Sequence, residues 1–195
     1  MRPAVFLDRD DTLIANRELT ANTPYPGDLC DPALVRLLPG VADGLRRLHE
    51  AGLALVVVSN QGCVARGVCT VEQVEACNRR LRDLVRAGAG VEFDGVYYCP
   101  YHPRGGVAPF NTEHHWRKPA PGMLLAAAAD LGLDLSRSWL IGDAQRDADA
   151  AVAAGIDRAR CVVIPADAPD FAAACEIVRR SAPTSTASAA PRTRR

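Results

Sequence analysis

The sequence predicts a three-layer α/β fold, with a parallel β-sheet covered by helices on both faces. Three observations predict it. Short apolar runs alternate with helical patterns along the whole chain. The runs are nearly uninterrupted, as expected for strands buried on both faces. Three of them stop abruptly in polar clusters, at residues 8–12, 59–61 and 143–147. In such sheets ligands bind at the carboxyl ends of the strands, so those three clusters are expected at one rim.

The elements follow in order. Residues 4–7 are apolar and end in Asp-Arg-Asp-Asp-Thr, which reads as a buried strand feeding a loop. Residues 15–38 carry Pro24, Pro26, Gly27 and Pro32 and read as a long irregular loop. Pro39 and Gly40 precede Val41, Leu45 and Leu48, a helical spacing that Gly52 ends. Residues 53–58 form the next strand. Thr70 with Gln73 three residues later is a capping box, opening a helix with Val74, Cys77, Leu81, Leu84 and Val85 on one side. A strand at 96–99 and an irregular segment at 100–118 come next. A helix is expected over 119–131, a strand over 138–141, a helix over 148–154, a strand over 161–164 and a helix over 171–179. One domain over 1–180 is expected, followed by a disordered Ser/Thr/Ala/Pro tail over 181–195.

Composition excludes several function classes. Lys+Arg and Asp+Glu are both 23, which argues against a surface built for nucleic acid or anionic membrane. No apolar run is long enough to span a bilayer, and the N-terminal run is broken at Asp8, unlike a signal peptide. The seven cysteines are odd in number and irregularly spaced, so they are expected to be reduced thiols in a cytoplasmic protein. Of the 23 cations only one, Lys118, is a lysine. In so arginine-rich a chain, that exception marks a position where a compact ammonium is required.

The rim residues describe a chemistry. Asp8, Asp10, Asp143 and Asp147 would repel one another unless a cation sits among them, and hard oxygen donors favour Mg²⁺. Ser59 and Asn60 add a hydroxyl and an amide, and Lys118 a positive charge. Together these are the parts of a phosphoryl-transfer site. Singly, each motif is more often a turn or a cap. Their succession is what carries weight.

In that succession the sequence resembles the haloacid dehalogenase-like phosphatases. FLDRDDT, VVVSN, Arg117-Lys118-Pro119 and IGDAQRD match the family's four motifs. More narrowly, it is similar to the heptose 1,7-bisphosphate phosphatases and the histidinol-phosphate phosphatases, over about residues 3–180. The resemblance implies a Rossmann-like fold, and the short stretch between the first motif and the first clear helix leaves no room for the large cap domain many relatives carry. It implies Asp8 as nucleophile and Asp10 as general acid and base. It implies Mg²⁺ on Asp8, the Asp10 carbonyl and Asp143, with Asp147 ordering the metal's surroundings. Ser59 and Asn60 would bind the phosphoryl oxygens and Lys118 would neutralise them. Gln61, Arg66 and Arg117 would face the rest of a small sugar bisphosphate. The chain is expected to act as a monomer, on heptose bisphosphate first and histidinol phosphate second. A polynucleotide-end phosphatase and a non-catalytic sugar-phosphate sensor are the remaining alternatives.

Three departures stand out. Asp11 replaces the glycine usual after the second aspartate, and Ala144 a frequent lysine. The relatives' Cys-x-His…Cys-x-Cys zinc pattern reads Cys99, Tyr101, His114 and Trp116 here, so it is broken. Zinc is therefore not expected, and the set from which a site could still be assembled is Cys99, His102 and His114, with His115.

Overall fold

A computed structural model describes residues 1–181. From residue 182 on, the tail expected to be disordered lies outside the described residues. Five parallel strands form one sheet: β1 (Ala4–Leu7), β2 (Ala54–Asn60), β3 (Gly95–Cys99), β4 (Trp139–Gly142) and β5 (Cys161–Val163), in the order β3-β2-β1-β4-β5. Register is direct, with Phe6 beside Val56 on one side and Leu140 on the other.

Alternation along the strands feeds two separate cores. Val5, Leu7, Leu55 and Val57 face one layer, with α2 (Val41–Glu50), α3 (Val71–Ala89) and α6 (Phe171–Ser181). Ala4, Phe6, Val56 and Val58 face the other, with α4 (Gly122–Leu131) and α5 (Gln145–Ala153). Both faces of the central strands are thus buried, which is why their sequence is apolar without interruption.

The capping box forms as expected: Gln73 N donates to Thr70 Oγ1 (3.2 Å) and Thr70 N to Gln73 Oε1 (2.9 Å). Segment 15–38 holds only a one-turn α1 (Arg17–Thr20) and a 3-10 turn at Pro32–Leu34 among the described residues, and no cap domain. Two helix starts differ from the expected ones. α4 begins at Gly122 rather than 119, because Pro119 and Pro121 lack N–H groups and the chain turns there, with Ala120 N on Arg117 O (2.9 Å). α5 begins at Gln145 rather than 148, because Asp147 Oδ2 accepts from Ala144 N (3.0 Å) and stabilises its first turn.

One expectation about cysteine is overturned. Cys30 and Cys69 are joined in a disulfide, while Cys63, Cys77, Cys99, Cys161 and Cys175 are free and buried. Sequence spacing gave no sign of this pair, because segment 15–38 and the loop after β2 meet only in three dimensions.

Candidate active site

The strand order reverses at β1, with β2 on one side and β4 on the other, and the three polar clusters meet at that switch point. β1 ends by handing on Asp8, whose N–H donates to Ile141 O (2.9 Å). β4 ends at Gly142, followed by Asp143. Gly142 is required there: a Cβ would lie 2.7 Å from Asp147 Cβ and Oδ2.

Lys118 is the centre of the arrangement. Its side chain has no exposure, and Nζ donates to Asp8 Oδ1 (2.6 Å) and Val58 O (2.7 Å) and pairs with Asp147 Oδ1 (2.7 Å). Two hydrogen bonds and one ion pair thus surround the ammonium with three oxygens. Asn60 fixes the peptide that carries it: Nδ2 donates to Lys118 O and Oδ1 accepts from Lys118 N, both at 3.0 Å. The Asn60 carboxamide is therefore committed to positioning Lys118. Asp147, expected around the metal, is fully buried against Lys118.

The charges follow from this packing. Burial raises the Asp8 carboxyl, Lys118 lowers it, and Asp147, Asp10 and Asp143 raise it again, to about 7. Burial lowers Lys118, but Asp8 and Asp147 outweigh it, so its ammonium is held above the usual lysine range. Burial and Asp147 also raise Asp143, against the opposing pull of Arg17 and Arg146.

Asp10 is held by a different cation, which sequence reasoning missed. Arg9 is 1 % exposed. It donates through Nε to Asp10 Oδ1 (3.1 Å), through Nη2 to Asp10 Oδ2 (3.2 Å) and Gln61 Oε1 (2.8 Å), and through Nη1 to Asn78 Oδ1 (3.0 Å). Gln61 Nε2 donates to Asp10 Oδ2 (2.7 Å) and Ser59 Oγ (2.8 Å). Gln61 is 3 % exposed and so acts as a support for Asp10 rather than an open contact. One signal was present: Asn78 lies on the buried stripe of α3, and a buried amide needs a partner.

Beside these carboxylates opens a cleft of about 200 Å³, lined by Asp10, Asn60, Arg66, Arg117, Asp143 and Arg146 among others. Arg66 and Arg117, expected from the sequence to face the substrate, line this cleft; Arg146 was not anticipated. Burial lowers Arg117, and Arg66 and Arg146 lower it further. Asp11 adopts φ 57°, the left-handed conformation that explains why glycine is usual there. Its Oδ1 accepts from Asn16 N (3.0 Å) and Arg17 N (2.9 Å), and Arg17 in turn reaches Asp143 Oδ2 (2.7 Å).

Comparison with known proteins gives the family. A HAD-hydrolase-like family model matches residues 115–163. A D-glycero-β-D-manno-heptose-1,7-bisphosphate 7-phosphatase of Yersinia pestis is 41 % identical over 154 residues, 79 % of this chain and 77 % of the relative. The chain belongs to this family of haloacid dehalogenase-like phosphatases. A second member, the D-glycero-D-manno-heptose-1,7-bisphosphate 7-phosphatase of Thermosynechococcus vestitus, is 46 % identical over 79 % of this chain and 76 % of its own. A crystal structure of D,D-heptose 1,7-bisphosphate phosphatase from B. bronchiseptica, complexed with magnesium and phosphate, is 25 % identical. It covers 92 % of this chain and 99 % of its own, at TM-score 0.71.

The residues present fit the hard divalent cation expected of such a phosphatase. Carboxylate oxygens of Asp8, Asp143 and Asp147 lie within 4.8 Å of one another. Asp143 Oδ1 is buried with no hydrogen-bond partner among the described residues. An all-oxygen set that includes a buried Asp143 oxygen with no hydrogen-bond partner suits Mg²⁺. Cys99, His102 and His114 are not among the described residues whose ligand atoms converge. Cys99 Sγ donates to Tyr101 O (3.9 Å), and the His114 ring stacks on Tyr101 with centroids 4.2 Å apart. Phe110 also packs on Tyr101, and Trp116 on Tyr97.

Proposed function

We propose that this chain is a Mg²⁺-dependent cytoplasmic phosphatase that removes the C7 phosphate of D-glycero-D-manno-heptose 1,7-bisphosphate through an aspartyl-phosphate. The observation that carries the reading is the Lys118–Asp8 pair next to a cleft in which aspartates and arginines are gathered. Lys118 holds Asp8 Oδ1 at 2.6 Å, and the adjoining cleft, lined by Asp10 and Asp143, also carries Arg66, Arg117 and Arg146. Arginine forks suit a second phosphate, whereas the ammonium suits a point contact. The names of the relatives support the same substrate.

In this reading Asp8 attacks phosphorus, the ester P–O bond breaks, and Asp10 gives its proton to the leaving sugar oxygen. A water then attacks the phosphorus of the aspartyl-phosphate, Asp10 takes its proton, and Asp8 is freed. Arg9 and Gln61 keep Asp10 aimed through both steps. Lys118 and Ser59 balance the phosphoryl oxygens. Asp8, Asp143 and the Asp10 carbonyl would hold Mg²⁺, which supplies Lewis-acid neutralisation of phosphate charge.

Histidinol phosphate remains the second reading, because Asp28, paired with Arg66, lines the same cleft and is a carboxylate for which an amine would compete. A phosphate-release screen with Mg²⁺ over both heptose bisphosphate anomers, histidinol phosphate and fructose 1,6-bisphosphate decides between them. Heptose bisphosphate is expected to give the highest kcat/KM. A higher value for histidinol phosphate would transfer the assignment to the second reading.

A further inference from the structure

Three cysteines meet outside the phosphoryl site. The Sγ atoms of Cys30, Cys63 and Cys69 lie within 4.8 Å of one another. Cys30 and Cys69 are disulfide-bonded with Cα atoms 5.6 Å apart, inside the usual range for such a bridge.

Two contacts tie this cluster to the cleft. The bridge joins the same two segments as the Asp28–Arg66 pair, in which Arg66 Nη2 meets Asp28 Oδ1 at 2.6 Å and Nε meets Oδ2 at 3.3 Å. Asp28 is two residues from Cys30 and Arg66 three from Cys69, and both line the cleft. Cys63 Sγ meanwhile donates to Gln61 Oε1 at 3.7 Å, and Gln61 supports Asp10. The cluster thus lies directly behind one wall of the cleft.

We propose that Cys30 and Cys69 are a thiol–disulfide exchange site for dithiols, and that their bridge holds Asp28 and Arg66 in position over the substrate cleft. The effect on substrate rests on the reading of that cleft given above; the exchange itself does not. Cys30 is the half-buried member, while Cys63 and Cys69 are buried, so an incoming thiolate meets Cys30 first. Its attack on Cys30 Sγ breaks the bond to Cys69, which leaves as thiolate and takes a proton. The second thiol of the dithiol then attacks the mixed disulfide, releasing Cys30 as a thiol and the reagent as its disulfide. Two electrons and two protons pass to the protein. Burial pushes the Cys63 thiol up to about 12, so it stays protonated at neutral pH and does not scramble the pair. In a cytoplasmic protein a disulfide is ordinarily transient or redox-sensing rather than structural.

Three measurements test this. Alkylation of the denatured protein should label five cysteines before reduction and seven after. Reduced enzyme and the Cys30→Ser/Cys69→Ser variant should show KM for the bisphosphate raised about threefold or more, with kcat within about twofold. Limited proteolysis within residues 21–35, which needs no substrate, should be about fivefold faster in both than in the oxidised protein. Seven labelled cysteines before reduction would overturn the proposal. So would KM and proteolysis unchanged between the two states. An oxidised enzyme inert on every phosphate ester would instead overturn the substrate assignment, leaving the thiol counts and proteolysis to decide the exchange site.

Discussion

Replacing Lys118 by methionine isolates what the single lysine does. Methionine keeps an unbranched side chain of similar reach but removes the ammonium. Its loss leaves Asp8 Oδ1, Asp147 Oδ1 and Val58 O, now 2.6–2.7 Å from a charge, without that partner. Breaking a buried ion pair from one side costs about 3–5 kcal/mol. For a chain of this size that is a fall in Tm of roughly 6–20 °C. The cost must also depend on pH. Lys118 is the strongest influence lowering the Asp8 carboxyl, so without it Asp8 keeps a proton to higher pH than the wild-type value of about 7. Over that interval the folded variant binds more protons than folded wild type. By linkage its stability then falls relative to wild type as pH rises, by up to about 1.4 kcal/mol per pH unit for one proton. Urea denaturation in EDTA at pH 5.5 and pH 8 measures both quantities. A destabilisation under about 1 kcal/mol at pH 8, or a gap that narrows with rising pH, would refute the view of Lys118 as the buried countercharge. Lys118→Arg is expected to lose turnover as well, because a planar fork does not fit three acceptors converging on one nitrogen.

Other substitutions probe the neighbouring parts. Asp8→Asn should fold and bind Mg²⁺ more weakly but release no phosphate from esters; residual turnover would reassign the nucleophile. Gly142→Ala should displace Asp147, costing about 1–3 kcal/mol in denaturation and much of the activity, because the new Cβ would sit 2.7 Å from Asp147 Oδ2. Arg17→Ala should tighten Mg²⁺ binding severalfold in calorimetry, since Arg17 lies 2.7 Å from Asp143 Oδ2 and competes for it. In the metal-free protein Asp8 rises from 3.8 to about 7, so the folded state holds a proton that the unfolded chain has released. Stability should therefore fall from about pH 4 to about pH 7, and Mg²⁺ should raise Tm more at pH 7.5 than at pH 5.

What was legible in the sequence is what local physics dictates. The uninterrupted apolar runs gave the strands, Thr70 and Gln73 gave the start of α3, and abrupt polar stops placed Asp8, Ser59 and Asp143 at one rim. What was hidden depends on contacts between distant segments. Asn60 grips the Lys118 peptide across 58 residues, and Lys118 reaches Asp8 across 110. Nothing near Asn60 distinguishes a clamp on backbone from a ligand for phosphate. Arg9 is the harder case, because surface arginines outnumber buried ones and its position between Asp8 and Asp10 suggests solvent as readily as a core. The Cys30–Cys69 bridge is of the same kind, since each half lies in a loop whose path no periodicity predicts.

In the proposed reading, two aspartates two residues apart are given different work, and the position of Arg9 accounts for how. A nucleophile and an acid–base group need different electrostatic settings. Here each carboxylate has its own cation. Asp8 faces the ammonium of Lys118 from one side of β1. Asp10 faces the guanidinium of Arg9, braced by Gln61 and by Asn78 of α3. Ammonium and guanidinium are not interchangeable in these places. The first site offers three acceptors around one nitrogen, which suits a point charge. The second offers two carboxylate oxygens and two amide oxygens to three different nitrogens, which suits a fork. A chain that uses arginine for every other cation therefore keeps lysine at 118, where geometry leaves room for one nitrogen only.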